Sequence, residues 1–171
     1  TGLRADYMFN IFNDYTVGLL LKMGVKQMTL SPELTLEQIK DFRETKGVVF
    51  EVLAHGRLPL MITEHCAIGA VLGEGHAARG CPGPCRKGQY GLKDRMNMVF
   101  PLACDENCRM HVYNPKTLNM LDRLAELTAS GVLVLRIEAA REEASWVRQT
   151  VSAYRREIDA YQREGAAFRM K

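Results

Sequence analysis

Hydrophobic and polar positions change rhythm several times along the chain. "RADYMFNIFN" (4–13) reads as a strand running into a turn. Asn13 or Asp14 then supplies a cap for a helix over "YTVGLLLKM", which Gly24 closes. "VKQMTLS" is a short strand. Thr35 and Gln38 form a capping box for "LEQIKDFRETK", with Leu36, Ile39 and Phe42 on one face. "GVVFEVLAHG" (47–56) is rich in β-branched and aromatic residues and reads as a buried strand. The pattern then lapses until "MVFPLACDENCRMHVYN", which predicts two strands around the turn "DEN". Asn114 and Pro115 suit the N-cap and first position of a helix over "KTLNMLDRLAELTAS", ended by Gly131. "VLVLRIEA" is a strand without a polar residue before Arg136. A last helix, from about Arg141 to Glu164, carries Val147, Val151, Tyr154, Ile158 and Tyr161 on one stripe.

Strands alternating with helices imply βα units and a parallel sheet. A full (β/α)₈ barrel takes roughly 250 residues, and this chain has 171 with four such strands. The fold expected is α/β, a partial TIM-barrel-like domain corresponding to the C-terminal part of a barrel. Residues 1–171 read as one domain, cut from a longer chain whose upstream barrel segment, or a second copy, would pair the open sheet edges. A cysteine-bearing insertion and hairpin, residues 57–113, interrupts it. That insertion follows the carboxyl end of a strand, where such folds place their sites.

The composition is that of an ordinary globular protein, and a formal charge of +3 is compatible with nucleic acid without singling it out. No apolar run spans a membrane and the start has no signal-peptide pattern, so a reducing cytoplasm is the default. In that setting the crowding of all five cysteines into one segment matters. Cys66 comes first, Cys81 and Cys85 form a C-x3-C pair in "CPGPC", and Cys104 and Cys108 form another in "CDENC". Thiolates from three separated segments could enclose a zinc ion or an iron–sulfur cluster. The spacing is not that of common zinc ribbons, which disfavours that class. Two other readings stand beside the metal: buried structural thiols, or a redox disulfide between Cys81 and Cys85.

Glu51 and Glu138 lie inside apolar strands, where an ionised group is costly unless paired, with Arg57 or Arg136 as partners. They are candidate general bases or substrate anchors, or structural ion pairs. His55, four residues beyond Glu51, shares its face in a regular strand, and Arg57 extends the row if no bulge intervenes. Glu33 has a similar place after a short strand, and His65 is a possible second partner beside Cys66. His76 and His111 read as surface or packed imidazoles. No nucleophile elbow, zincin motif or phosphate-binding glycine loop occurs.

The blocks "ADYMFNIFN", "VKQMTLSPELTLEQI", "FEVLAHGRLPLMITEHC", "CPGPCRKGQYGLKDR", "FPLACDENCRMHVYN" and "LRIEA" resemble, in order, those of peptidase family U-32, the collagenase-like peptidases. The resemblance implies a TIM-barrel-like fold and, in relatives, a 4Fe-4S cluster used in oxygen-independent hydroxylation of tRNA or rRNA bases or of a quinone precursor. Other members carry the name of proteases. Many members have cysteines where this chain has Pro59 and Asn119. The subgroup with "HGRLPLM" instead has cysteines that match Cys66, Cys81, Cys85 and Cys108, leaving Cys104 as a surplus thiol. The resemblance therefore implies an enzyme acting on RNA with a small organic hydroxyl donor. Glu51, His55, Arg57 and Glu138 would line the site and the four matched cysteines would hold the cluster. A collagenase-like peptidase and a zinc-stabilised non-catalytic module are the alternatives.

Overall fold

The computed structural model describes residues 2–73 and 81–165. In chain order the regular elements are β1 (Arg4–Ala5), α1 (Asp14–Lys22), β2 (Gln27–Thr29), α2 (Leu36–Asp41), β3 (Val49–Gly56), β4 (Pro59–Thr63) and α3 (Ala67–Leu72). They continue with β5 (Tyr90–Lys93), β6 (Val99–Cys104), β7 (Met110–Tyr113), β8 (Leu118–Asn119), α4 (Leu124–Ala129), β9 (Val134–Glu138) and α5 (Ala144–Glu164). The backbone divides into two compact units, one of residues 57–118 and one of the segments on either side.

In the flanking unit, β1, β2, β3 and β9 run parallel, with β8 also beside β3. It is a mixed α/β unit with a parallel sheet and helices. Met28, Leu30, Phe50 and Val52 project from the sheet into a core shared with Val17 and Leu20 of α1 and Ile39 of α2. Phe42 meets Phe50 edge-on at 5.4 Å. The capping box forms as its residues predict: the Thr35 hydroxyl accepts from the Gln38 N–H at 3.3 Å, and the Gln38 side chain accepts from the Thr35 N–H at 2.9 Å. Asn13 is the cap of α1, its side chain accepting from the Thr16 N–H at 3.0 Å.

Three expectations change. The first strand is cut to two residues, because Asp6 caps a 3₁₀ turn over Tyr7–Phe9 and Asn10 is left-handed, with φ 49°. Only an isolated bridge from Ile11 to Leu30 resumes the pairing. The helix expected from Asn114 begins later, since Asn119 is in a strand and its side chain accepts from the Leu121 N–H at 3.1 Å. On α5, Thr150 and Tyr154 are buried while Val151 is exposed, so the buried stripe is rotated from the one that apolar residues alone mark out.

The second unit is an antiparallel sheet in the order β4-β7-β6-β5. The hairpin of β6 and β7 turns where "DEN" predicts. β4 and β5 are edge strands that the sequence pattern did not mark, and Pro59 opens one of them, as an edge tolerates. Ile68, Leu102, Met110 and Val112 form this unit's small core, against which Cys66, Cys85 and Cys104 pack.

Candidate functional site

Register decides which side chains of the parallel sheet share a face. Residues paired across a parallel ladder point the same way. Gln27 pairs with Val49 and Thr29 with Glu51, and Glu51 in turn pairs with Val134. Leu53 pairs with Arg136, but the next partners are His55 with Ile137 and Gly56 with Glu138. The extra residue is a β-bulge, and it shifts the alternation by one. Glu51, Arg136 and Glu138 therefore share one face with Thr29, whereas His55 lies on the other. The expected row of Glu51, His55 and Arg57 does not form, because the bulge intervenes and β3 ends at Gly56. Arg57 is exposed and belongs to the second unit.

The polar face is organised around Arg136. One guanidinium nitrogen is 2.5 Å from Asp6 and 3.9 Å from Glu51, and the other is 3.2 Å from Glu138. Its flat side lies 5.3 Å from the centre of the Tyr7 ring. Burial opposes the charge, but Asp6 first, then Glu138 and Glu51, outweigh it and hold the Arg136 pKa above its usual value. Glu51 also accepts from the Thr29 hydroxyl at 2.9 Å and from the Gln27 amide at 3.3 Å. Three carboxylates around one cation give the cluster a net negative charge. Asp6, Thr29 and Gln27 were not marked by the sequence. The available signal was polar residues at alternate positions of strands otherwise apolar.

On the opposite face His55 packs against α5. Its ring centre is 5.4 Å from that of Trp146 and 5.6 Å from that of Tyr154. The Tyr154 hydroxyl donates to the Ala54 carbonyl at 2.7 Å and accepts from the Met120 N–H at 3.2 Å. Burial lowers the His55 pKa, offset in part by a hydrogen bond with the Asn119 side chain and by Glu142, so the imidazole is neutral near pH 7. Burial likewise pushes the Tyr154 hydroxyl up to about 12, keeping its proton for Ala54. Glu33 is exposed and takes no part in either group.

In the second unit the thiols gather where α3 meets the end of β6. The Cys66 sulfur caps α3, accepting from the Gly69 N–H at 3.2 Å, and is 3.6 Å from the Cys104 sulfur. A Cβ at Gly69 would sit 3.4 Å from the Cys66 sulfur and 3.8 Å from that of Cys81, so both border one bare backbone position. Burial first, then the neighbouring Cys66 and Cys85, push the Cys104 thiol up to about 12. Cys81 and Cys108 are exposed, and Cys108 is left-handed with φ 60°. Soft sulfur donors suit a zinc ion or an iron–sulfur cluster in their chemistry. Among the described residues no three His, Cys, Asp or Glu side chains are arranged to hold a metal ion. His65 is exposed, and His76 lies outside the described residues.

The turn that carries Cys104 and Cys108 is fixed by Asp105. One carboxylate oxygen accepts from the N–H groups of Asn107 and Arg109, each at 2.9 Å. The other accepts from Arg109 Nε at 2.8 Å and lies 3.3 Å from His111. Desolvation alone would raise this carboxyl, but the bonds from Arg109, His111 and Asn107 prevail and lower it from 3.8 to about 2. A depressed folded-state pKa means that the stabilisation is present above the unfolded value and is lost as pH falls through the folded one. The Asp105 carboxyl carbon should therefore titrate in NMR with a midpoint near 2. A midpoint at the ordinary value would show that the turn is not held in this way.

Among the described residues no helix is long and apolar enough to cross a membrane. Comparison with known proteins places these features in a family. The chain is 30% identical over 161 residues to the uncharacterized protease MJ0090 of Methanocaldococcus jannaschii, covering 90% of this chain and 38% of that protein. It is 26% identical over 150 residues to the tRNA hydroxylation protein P of Helicobacter pylori strain J99, covering 85% of this chain and 36% of that protein. The same protein of strain 26695 matches equally, at 26% over 150 residues. The chain thus spans less than two fifths of the length of these curated relatives. No solved structure matches it. The model of the family described as peptidase family U32 matches residues 2–171, and the chain belongs to that family.

Proposed function

We propose that this chain is part of an enzyme that hydroxylates bases of tRNA or rRNA without molecular oxygen, drawing on a small organic hydroxyl donor. The observation that carries the reading is the likeness to the tRNA hydroxylation protein P across 85% of the chain. In this reading the parallel sheet belongs to a (β/α) barrel completed by chain beyond these residues. The polar face of Glu51, Arg136 and Glu138 contacts the substrate or donor, where carboxylate oxygens accept hydrogen bonds from base N–H and hydroxyl groups. His55, a neutral imidazole near pH 7, is a candidate for proton transfer. Arg57, an exposed cation, suits a phosphate. Cys66, Cys81, Cys85 and Cys108 would hold a 4Fe-4S cluster. Such a cluster, when bound, supplies one-electron redox chemistry, whereas zinc in its place would only brace the loops.

The test is to delete the gene, profile modified nucleosides of tRNA and rRNA by mass spectrometry, and complement with wild type or Arg57→Ala. Because Arg57 is exposed, its loss leaves the fold intact. The expected result is one hydroxylated nucleoside that disappears on deletion, returns fully with wild type, and returns less than one tenth as fast with the variant. The name of the Methanocaldococcus relative favours a second reading, proteolysis. An unchanged nucleoside profile, together with gelatin cleavage by the purified protein, would establish that reading and end the first.

A further inference from the structure

Cys104 lies outside the ligand set proposed above, yet its sulfur lies 3.6 Å from that of Cys66. The two residues stand on different elements, Cys66 at the start of α3 and Cys104 at the end of β6. Both pack against the same small core of Ile68, Leu102, Met110 and Val112, which fixes their backbones relative to each other. A disulfide bond is about 2.0 Å long, so the sulfurs must close by about 1.6 Å, within reach of side-chain rotation. Cys85 packs on the same core and also neighbours Cys104, whereas Cys81 and Cys108 are exposed.

We propose that Cys66 and Cys104 form a reversible disulfide, made by exchange with a low-molecular-weight disulfide such as oxidised glutathione. The Cys66 thiolate attacks one glutathione sulfur, the glutathione S–S bond breaks, and one glutathione thiolate leaves and takes a proton. The resulting mixed disulfide carries the second glutathione on Cys66. Cys104 attacks the Cys66 sulfur as its proton passes to the departing sulfur, which expels that glutathione as a thiol. Two protein thiols are oxidised and one external disulfide is reduced to two thiols. The inference does not depend on which metal the pocket takes. Its consequence is the same for each: while the bond exists, Cys66 has no thiolate to offer a metal.

The experiment treats the chelated, metal-free protein with oxidised glutathione, blocks free thiols and maps linkages by mass spectrometry. Tryptic cleavage at Lys93 and Arg95, with cleavage after Glu106, separates Cys104 from both Cys66 and Cys108. The expected product links Cys66 to Cys104 and is lost on addition of dithiothreitol. Cys104→Ser should instead keep one glutathione on Cys66 and release it at least tenfold more slowly. Both thiols remaining free, linkage of Cys66 to any other cysteine, mixed linkages, or equally fast release from Cys104→Ser would each overturn the proposal.

Discussion

Replacing Gly56 with alanine is expected to destabilise the parallel-sheet unit more than any comparable glycine change. Gly56 ends β3 with φ 125°, a conformation that side chains disfavour. A Cβ built there would lie 2.3 Å from the backbone oxygen of Glu138, and 2.9 Å from its Cβ. The obstacle is backbone, so no rotamer change relieves it. Either β9 withdraws from the end of β3 or the Gly56 peptide reorients, and both disturb the strand that carries Arg136 and Glu138. The left-handed strain and the overpacking each cost about 1–3 kcal/mol, so a loss of about 3 kcal/mol is expected. That corresponds to a fall of about 6–12 °C in Tm for a chain of this size. Gly24→Ala is the control, because Gly24 has φ 85° but open space around it. It should cost only about 1–2 kcal/mol, the conformational part alone. Equal shifts for the two variants would mean that the close approach of β3 and β9 contributes nothing.

That contact also shows where sequence reading stops. The strand over "VVFEVLAHG" was legible, because a run of β-branched and aromatic residues has few other uses. Its bulge was not, since no residue type in "LAH" demands one, and the extra residue becomes visible only through the partner strand. One unreadable residue moved His55 to the face opposite Glu51. The same limit explains the end of β6. Five cysteines in one segment marked a thiol pocket, but periodicity says nothing about which sulfurs meet, and the Cys66–Cys104 contact depends on how α3 packs on the hairpin. Local signals fared better. Thr35 with Gln38, Asn13 before α1 and the turn at "DEN" each act within four residues, so the sequence contains both partners. β4 and β5 escaped notice because each is an edge strand that exposes apolar side chains such as Leu60 and Leu92, which breaks the usual alternation.

Removing the cation from the polar face should give a loss that depends on salt. Arg136→Leu keeps an apolar side chain beside Tyr7 but leaves Asp6, Glu51 and Glu138 without the guanidinium that joins them. Glu51 and Glu138 have side chains only 14% and 20% exposed, so water replaces the missing partner poorly. Breaking a fully buried pair costs about 3–5 kcal/mol, while a half-exposed one such as that with Asp6 is worth about 1 kcal/mol or less. A loss of about 2–4 kcal/mol at pH 7 follows. Arg136 stays protonated throughout, its pKa being held above its usual value, so the wild type keeps a cation among the carboxylates. The variant leaves like charges facing one another, and salt screens that repulsion. The difference between wild type and variant should therefore be greatest at low ionic strength and narrow as salt is added. Urea unfolding of both proteins at low and high salt measures this directly, and Arg136→Lys, which keeps a charge without the planar fork, should fall between them. A difference that does not change with salt would mean that Arg136 acts through its packing on Tyr7. The negative charge assigned to this face, and the hydrogen-bond acceptors it offers to a substrate, would then lose their support.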